Sequence, residues 1–243
     1  MKLHRILTSV LGLLLCITCV PIFATDTERI LLSCDKAELE MVVENRSVGF
    51  KSNNEKIEVI KNEMGYEISI LLQKDEEVKL SFDSAEIDLY DDNSMMINKN
   101  GVSVAALSSF KDENNVKANC SVKNDSITLS AVTNGEYKVQ LYGVNDYSNW
   151  FNSSSWITRD EGISLSINHK NWAFAGIETG PISWSWNTLF SKHQNDAQWK
   201  NAQGIKEQYM CHVNFAANKN PWNLEPWRSQ VGYNETVACS CNP

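Results

Sequence analysis

Four ionisable side chains in the last third of this chain are of the types that perform acid–base chemistry. His212 is a candidate general base or acid, because imidazole exchanges protons near neutral pH. Glu225 lies in an apolar, aromatic loop, where a carboxylate is either desolvated or paired with a cation. Arg228 and Arg159 are the obvious cations, and an arginine can also bind an anionic group bidentately.

Two interpretations of these residues follow. In the favoured one, Glu225 forms a structural pair with an arginine that pins its loop, and His212 is a surface or packing residue. In the other, Glu225 and His212 form an acid/base pair, while Arg228 or Arg159 binds the charge of a substrate. His169 and His193 are predicted to be structural, and Lys219 is interpreted as a solvated loop charge.

Tryptophan is concentrated in the same part of the chain. All eight tryptophans lie between Trp150 and Trp227, and none occurs before them. A small domain cannot bury eight indoles, so we expect at least one exposed aromatic patch. Trp222 and Trp227 flank Glu225 and are candidates for a platform on which sugar rings stack, although both rings can equally belong to the core. Asn223 is predicted to hold this loop through its amide.

Several kinds of site are absent from the sequence. It contains no Gly-x-Ser-x-Gly nucleophile motif, Gly-rich phosphate loop, His-Glu-x-x-His zinc helix or dinucleotide fingerprint. A zinc site at Cys211, His212, Cys239 and Cys241 lacks the usual ligand spacing, so neither a metal nor a cofactor is predicted. The chain has 30 acidic and 22 basic residues, and its net charge of −8 disfavours binding to nucleic acid.

Charge and hydropathy divide the chain into two parts. Residues 25–149 contain 23 acids and 13 bases, whereas residues 150–243 contain seven of each. Short segments of alternating apolar and polar residues fill the first part and predict antiparallel strands. The pairs Asn100-Gly101 and Asn134-Gly135 predict tight turns between strands. We predict an acidic β-rich domain at 25–145, which acts as a scaffold, spacer or partner-binding module without chemistry, and a linker at 146–155.

The second part, residues 156–243, mixes strand and helix signals. Gly162–Asn168 alternates as a strand does, and a helix is predicted from Pro181, with an apolar face, and fades after Asn195. Ile205–Phe215 and Glu235–Cys241 are predicted as further strands. The predicted fold class is mainly β, with an N-terminal antiparallel β-sandwich or meander. An α+β C-terminal domain follows, with a small disulfide-tied sheet and one helix.

The first residues predict export. A short basic start precedes an apolar run at 6–20, so Met1–Ala24 is predicted to be a signal peptide, and no later stretch is apolar for long enough to span a bilayer. Whether the signal is cleaved is left open. Export permits disulfides. The two-part division suggests a Cys34–Cys120 pair in the first part, and Cys211 then pairs with Cys239 or Cys241.

The order and spacing of several residues in the second part resemble one known family. The matching residues are Trp156, Arg159, Cys211-His212, Lys219, Trp222-Asn-Leu-Glu-Pro-Trp-Arg228 and Cys241-Asn-Pro243. Over residues 156–243 they resemble a bacterial secreted family known as domain of unknown function 2599. The resemblance implies organisation and compartment rather than an activity, and it favours Cys241 as the partner of Cys211. Ser229, where proline often follows the arginine, and the extra Cys239 depart from the family pattern.

The sequence therefore favours a secreted or cell-envelope protein that binds an extracellular partner through its Trp-rich C-terminal domain. The expected partner is a surface glycan or a protein, without nucleic acid and without a stable membrane span once the signal is removed. The alternative is an extracellular hydrolase or toxin domain that uses His212 and Glu225. A third interpretation is a structural protein of the envelope in which these residues only hold the fold.

Overall fold

The computed structural model describes residues 29–32, 37–43, 46–52, 57–62, 64–82, 84–142, 147–170, 174 and 176–243, with side chains from Ile57 onward. The predicted signal peptide at 1–24 and Cys34 lie outside these residues. Within the part of the chain that is described, no helix is long and apolar enough to cross a bilayer.

Two antiparallel sheets form the first part of the molecule. The first sheet has the strand order β1-β4-β5-β12-β9-β8-β7, and the second has the order β10-β11-β6-β3-β2. Their strands are β1 Arg29–Leu32, β2 Ala37–Val43, β3 Arg46–Ser52, β4 Ile57–Asn62, β5 Gly65–Leu72, β6 Glu77–Phe82, β7 Glu86–Leu89, β8 Met95–Lys99, β9 Val102–Leu107, β10 Asn119–Lys123, β11 Ser126–Ser130 and β12 Gly135–Tyr142.

Alternation of apolar and polar residues explains why the two sheets face one another. In β6, Val78, Leu80 and Phe82 are buried, whereas Glu77 and Lys79 point to solvent. Because successive strand residues point to opposite faces, each such strand presents one apolar face. The apolar faces meet in one core, which contains aliphatic residues from both sheets, such as Ile68, Ile70, Leu107, Leu80, Ile127 and Leu129. The predicted sandwich is confirmed.

The turn between β8 and β9 follows directly from its sequence. Asn100 and Gly101 both have positive φ angles, of 54° and 72°. Two consecutive residues of this kind are the signature of the tight hairpin turn whose twist matches the flanking strands. The Asn-Gly pair therefore places β8 beside β9, where Met95 pairs with Leu107.

The second part combines three strands with two long helices. The predicted linker residues include the short helix α1, Tyr147–Trp150, and the beginning of strand β13, Phe151–Arg159. Next come β14 Gly162–His169, helix α2 Thr179–His193, helix α3 Ala202–Phe215, β15 Trp222–Leu224 and helix α4 Tyr233–Ala238. The sheet has the order β13-β14-β15, and all its pairs are antiparallel.

The predicted helix α2 is confirmed, and its apolar face is buried. Trp186 and Leu189 point into the core, and His193 extends this face by one turn. The polar chain resumes after His193, so the helix ends close to the predicted position. The C-terminal core is largely aromatic and includes Trp150, Phe174 and Trp222.

Two strand predictions in this part are wrong. Ile205–Phe215 lies in helix α3, and Glu235–Cys241 falls on helix α4 and the turn that follows it. Ile205, Tyr209 and Val213 are buried at intervals of four residues, which is the periodicity of a helix. The stretch between them is rich in good helix formers such as Lys206, Glu207 and Met210. The fold class is confirmed, with a second long helix in place of one strand.

Helix α2 packs against the outer face of the sandwich at β8 and β9. Met95 and Ala105 belong to the sandwich core, whereas their neighbours Met96 and Ala106 belong to the aromatic core. The same two strands therefore supply one wall to each core.

Polar contacts fix the beginning of α2 on the sandwich. The Asp92 carboxylate accepts hydrogen bonds from the backbone and the hydroxyl of Thr179, both at 2.7 Å. The Glu178 carboxylate accepts from the backbone and hydroxyl of Ser109, both at 2.5 Å, and pairs with Lys111 at 2.8 Å. Burial acts to raise the pKa of Glu178, but the hydrogen bonds from Lys111 and Ser109 outweigh it and lower this pKa.

Candidate functional site

Glu225 is buried at the end of β15 and is held by its backbone as well as by its side chain. Its N–H donates to Oε1 of Gln208 at 2.8 Å, and its carbonyl accepts from Nε2 of Gln208 at 3.0 Å. Gln208 is itself fully buried in α3. One amide side chain thus satisfies both backbone groups of a residue that has left the sheet and has no further strand partner there.

Both predicted arginines contact the Glu225 carboxylate. Arg159 precedes Glu225 in the sequence and Arg228 follows it. Nη1 of Arg159 lies 3.1 Å from Oε1, and Nε of Arg228 donates to Oε2. Arg228 also reaches the end of the chain, where its Nη1 donates to the carbonyls of Asn242 at 3.3 Å and Pro243 at 3.0 Å. The structure therefore brings three of the four predicted catalytic residues together. Both carboxylate oxygens accept from guanidinium groups, which is the arrangement that the favoured structural interpretation predicts.

His212 does not join this cluster. It lies in helix α3 and is 8% exposed. Its Nδ1–H donates to the carbonyl of Gln208 at 2.8 Å. Burial lowers its pKa, against an opposing effect of that hydrogen bond. No hydrogen bond or ion pair described in residues 57–243 joins His212 to Glu225.

The predicted strand at Ile205–Phe215 would place Cys211 and His212 on opposite faces, but the helix that forms there does not. Adjacent residues in a helix are about 100° apart, so both can point inward. Cys211 and His212 are both buried.

The two tryptophans that flank Glu225 have different environments. Trp222 is 1% exposed, its Nε1 donates to the carbonyl of Ala216 at 2.9 Å, and its ring lies against His169. It cannot offer a face to a ligand, so its predicted role in a stacking platform is wrong. Asn223, which follows Trp222 in the chain, is half-buried, and no hydrogen-bond partner of its buried Oδ1 is described.

Trp227 is 41% exposed, and among the seven tryptophans that the structure describes it is the one exposed indole. One edge of its ring covers Gly162, where an added Cβ would lie 2.6 Å from Cδ1 and Nε1 of the indole. The guanidinium carbon of Arg228 lies 4.5 Å from the ring centroid. We call Trp227 and the residues around the adjoining cavity the Trp227 patch. A cavity of about 400 Å³ is lined by Trp227, Gly162, Ile163, Pro226, Ala197, Gln198 and Lys200.

One predicted disulfide is present. Cys211 and Cys241 are bonded, with their Cα atoms 5.4 Å apart, which ties the end of the chain to helix α3. Cys239 is a free and exposed thiol. Cys120 is also a free thiol, and burial raises its pKa to about 12. Its predicted partner Cys34 lies outside the described residues, so the structure does not show that pair.

No group of three or more histidine, cysteine or acidic side chains that could hold a metal ion occurs among the residues that the structure describes. The four residues whose spacing argued against a zinc site, Cys211, His212, Cys239 and Cys241, are divided between a disulfide, a buried ring and an exposed thiol.

A second polar cluster lies at the other end of β13 and was not predicted. Oγ of Ser154 lies 2.6 Å from Nε2 of His193, and Nδ1 of the same ring lies 2.7 Å from Oδ2 of Asp196. Trp156 donates to the same carboxylate oxygen from Nε1 at 2.8 Å, and the hydroxyl of Tyr147 donates to Oγ of Ser154 at 2.5 Å.

This cluster left only a partial signal in the sequence. His193 and Asp196 are three residues apart at the end of a predicted helix, where they meet across one turn. Ser154, however, lies 39 residues earlier. Only the packing of β13 against the end of α2 brings it to the imidazole.

Comparisons with known proteins agree with the resemblance of the second part. The family model described as "Protein of unknown function (DUF2599)" matches residues 151–243. Two similar curated proteins are "Uncharacterized protein Rv0477" of Mycobacterium tuberculosis and "Uncharacterized protein Mb0487" of Mycobacterium bovis, each 43% identical over 44 residues. The match spans 16% of this chain and 30% of each relative. No solved structure matches the chain.

The predicted resemblance is therefore confirmed for the C-terminal segment, and the mycobacterial relatives support a bacterial origin. The family description and the names of these relatives state no activity. A function has to be argued from the geometry of the sites.

Proposed function

We propose that this protein is a secreted bacterial binding protein that holds a cell-surface glycan on the Trp227 patch. The observation that carries the proposal is the position of Trp227. The other tryptophans of the described C-terminal part pack wholly or partly into the aromatic core, whereas Trp227 presents its ring to solvent beside a cavity. Placing an indole in water forgoes the gain from burying it, so an exposed and fixed indole favours a ligand.

The ring is held rigidly, which favours binding because little side-chain freedom is lost when a ligand arrives. Gly162 supports the indole, and the guanidinium of Arg228 lies over the ring. Arg228 is fixed in turn by the Glu225 carboxylate. The three polar residues that suggested catalysis thus act, in this proposal, as the support of a binding surface.

The chemistry of the patch suits a sugar. A flat aromatic ring packs against the C–H face of a pyranose by dispersion and exclusion of water. Gln198 and Lys200 line the same cavity and offer hydrogen-bonding groups to hydroxyls. A cavity of about 400 Å³ is large enough for one or two sugar rings. The apolar segment at the start of the chain supports delivery of the protein to the extracellular space or the cell envelope.

Sedimentation with purified cell-wall polysaccharide tests the proposal. We expect the wild-type protein to be retained, and Trp227→Ala to weaken retention about 5- to 150-fold, taking for a sugar ring the roughly 1–3 kcal/mol by which a base stacks on one aromatic. Phe215→Ala removes an aromatic that is 65% exposed elsewhere on the surface and should leave retention unchanged.

Gly162→Ala gives a second test, because it displaces the ring without removing it. We expect weaker retention and also a lower midpoint of thermal unfolding, because Gly162 has a φ of 157° and an added Cβ meets the indole, so retention is compared at a temperature where both proteins are folded. Retention on no polysaccharide, or retention that disappears when wall proteins are digested, contradicts a glycan ligand. Export is tested separately by N-terminal sequencing of protein recovered from the culture medium.

The alternative hydrolase that uses His212 and Glu225 receives no support from the geometry. Each oxygen of the Glu225 carboxylate contacts an arginine, and the imidazole of His212 is buried in α3.

A further inference from the structure

We infer that Ser154, His193 and Asp196 form a nucleophilic site that hydrolyses carboxylic esters, a function beyond the glycan binding proposed above. The inference rests on the order of the hydrogen bonds. Oγ of Ser154 is within 2.6 Å of one imidazole nitrogen, and the other nitrogen is within 2.7 Å of a carboxylate. A hydroxyl, an imidazole and a carboxylate joined in this order are the parts of a serine hydrolase, whatever the fold and the chain order.

The tautomer of His193 follows from its partners. A carboxylate can only accept a hydrogen bond, so the proton of the neutral ring lies on Nδ1 and points at Asp196. Nε2 then has a free lone pair directed at the Ser154 hydroxyl. Hydrogen bonds from His193 and then Trp156 lower the pKa of Asp196, so this carboxylate stays charged in neutral solution.

The cluster is fixed from several sides. The ring of Trp199 stacks parallel to His193 at 6.2 Å, and Trp156 meets its edge. Trp156 also occupies the carboxylate of Asp196 through Nε1. Such support holds a catalytic imidazole in one orientation, which is the main requirement for proton transfer.

Ser154 itself is not sealed in the core. It is half-buried on β13, which is an edge strand of its sheet, and its two neighbours Ser153 and Ser155 are exposed on the opposite face. The imidazole is 5% exposed. In the proposal, a reagent reaches the Ser154 hydroxyl from the edge of the sheet, while the imidazole behind it stays shielded from water.

Tyr147 supplies a donor for the charge that develops on the carbonyl oxygen. Its hydroxyl donates to Oγ of Ser154 at 2.5 Å in the resting site, and in the proposal it transfers this hydrogen bond to the carbonyl oxygen as Oγ bonds to the carbonyl carbon. The ammonium of Lys192 lies 3.5 Å from the centre of the Tyr147 ring. A single side-chain donor stabilises the oxyanion less than a full set does, which suits an ester with its good leaving group better than an amide.

The reaction balances without any further reactant except water. Oγ of Ser154 attacks the ester carbonyl and gives its proton to Nε2 of His193. The bond from the carbonyl carbon to the alkoxy oxygen breaks, the same proton passes to the leaving oxygen, and an alcohol departs. Water then attacks the acyl-serine, gives one proton to His193, and releases the acid as the serine hydroxyl takes that proton back.

An alkyl fluorophosphonate probe tests the site on the whole protein. Attack by Oγ on phosphorus expels fluoride and leaves a stable adduct, which intact-mass measurement and peptide mapping locate. We expect one adduct, on Ser154. Ser154→Ala should abolish it, whereas Ser153→Ala and Ser155→Ala, on the opposite face of the same strand, should label at the wild-type rate.

His193→Ala should slow labelling about 10²–10⁴-fold, the usual loss on removing a general base. Asp196→Asn tests a positioning role: its amide oxygen can still accept from Trp156, while the tautomer of the imidazole is no longer enforced. We expect it to reduce kcat for p-nitrophenyl acetate with little change in KM, at an unchanged unfolding midpoint.

Peptide mapping of the wild-type protein decides the outcome even if a variant fails to fold. Absence of an adduct on Ser154 in folded protein overturns the inference. Equal labelling of Ser153 or Ser155 overturns it as well, and would assign the network a purely structural role.

Discussion

The two hydrophobic cores of this protein are built from different side chains. The sandwich core consists mainly of Ile, Val and Leu, and most of the buried polar residues described in this part are serines. The C-terminal core consists largely of aromatic rings and includes buried polar residues such as Gln208, His169 and Thr236. Aliphatic groups need only be removed from water, whereas indole, imidazole and amide groups need hydrogen-bond partners as well.

This difference separates scaffold from chemistry. Hydrogen bonds are directional, so a core that depends on them fixes particular atoms at particular distances. Both constellations with functional potential, Glu225 with its arginines and Ser154 with His193, lie in the region of the aromatic core. The two regions can also be observed separately. Tryptophan fluorescence reports only on the second region, because every tryptophan lies there, while hydrogen exchange of the strand amides, pulse-labelled at increasing urea, gives a separate midpoint for the sandwich.

Removal of the disulfide should separate the two regions most strongly. For a sequence separation of 30, the loss of the Cys211–Cys241 bond in the double Cys→Ser variant is worth roughly 3.6 kcal/mol in the chain-entropy estimate. We expect the free energy of unfolding from the fluorescence transition in urea to fall by this amount, and the exchange midpoint of the sandwich to change little. Cys239→Ser removes an exposed free thiol two residues away and should shift neither midpoint. A parallel shift of both signals contradicts the division into two regions.

The second prediction concerns the buried carboxylate. Glu225→Gln leaves Arg159 and Arg228 without their anion, and breaking a buried pair in this way usually loses 3–5 kcal/mol. Arg159 is half-exposed, so water screens part of the pair, and we expect a loss of about 2–3 kcal/mol in the fluorescence transition. Glu161→Gln is the matched control, because Glu161 meets Arg228 in an exposed pair at 3.4 Å. An equal effect of the two variants would mean that burial of Glu225 has no special role.

The sequence predicts the sandwich better than the aromatic core, because burial of apolar groups leaves a local pattern in the sequence and directional hydrogen bonds do not. A strand with one buried face alternates, and Val78, Leu80 and Phe82 show this without any knowledge of partners. The sequence of helix α3 is ambiguous. Ile205, Tyr209 and Val213 have helical spacing, but β-branched and aromatic residues of this kind are also common in strands. The disulfide was predicted from residue order in a family pattern rather than from geometry.

Candidate residues were predictable as types but not as partners. Glu225, Arg159 and Arg228 were grouped correctly, since only two arginines lie in the second part of the chain. The burial of His212 does not follow from the predicted strand at Ile205–Phe215, because the side chain points in a different direction in the helix that forms. The contact of Ser154 with His193 depends on how β13 crosses the end of α2, and no local pattern encodes such a crossing.

The contact between helix α2 and the sandwich provides the third prediction. Glu178→Gln removes the anion that receives Ser109 and Lys111 at the start of α2. Hydrogen bonds to a charged group are worth about 1.5–3 kcal/mol, and the partly exposed lysine reduces this, so we expect a loss of about 1–2 kcal/mol. Both midpoints should fall, because α2 joins the cores. Glu113→Gln, an exposed carboxylate in the same region of the sandwich, should have little effect.

The same contact should depend on pH. The folded-state pKa of Glu178 is lowered from its ordinary value of 4.5, so the unfolded chain binds a proton more readily than the folded one. The stabilisation is therefore complete above pH 4.5 and is lost as the pH falls through the lower folded value. The difference in midpoint between the wild type and Glu178→Gln should shrink below pH 4.5. A difference that stays constant down to pH 3 would show that the charge of Glu178 does not stabilise the contact between α2 and the sandwich.

The smallest expected effect tests whether the sandwich can be weakened alone. Gly101 has a φ of 72° at the tip of the β8–β9 hairpin, and no other group would contact a Cβ placed there. Gly101→Ala therefore measures backbone strain without a clash, about 1 kcal/mol. We expect the exchange midpoint of the sandwich to fall and the fluorescence midpoint to move less, because Met96 and Ala106, the hairpin residues that belong to the aromatic core, lie away from the tip. Equal movement of both signals would mean that β8 and β9, which supply a wall to each core, make the two cores one cooperative unit.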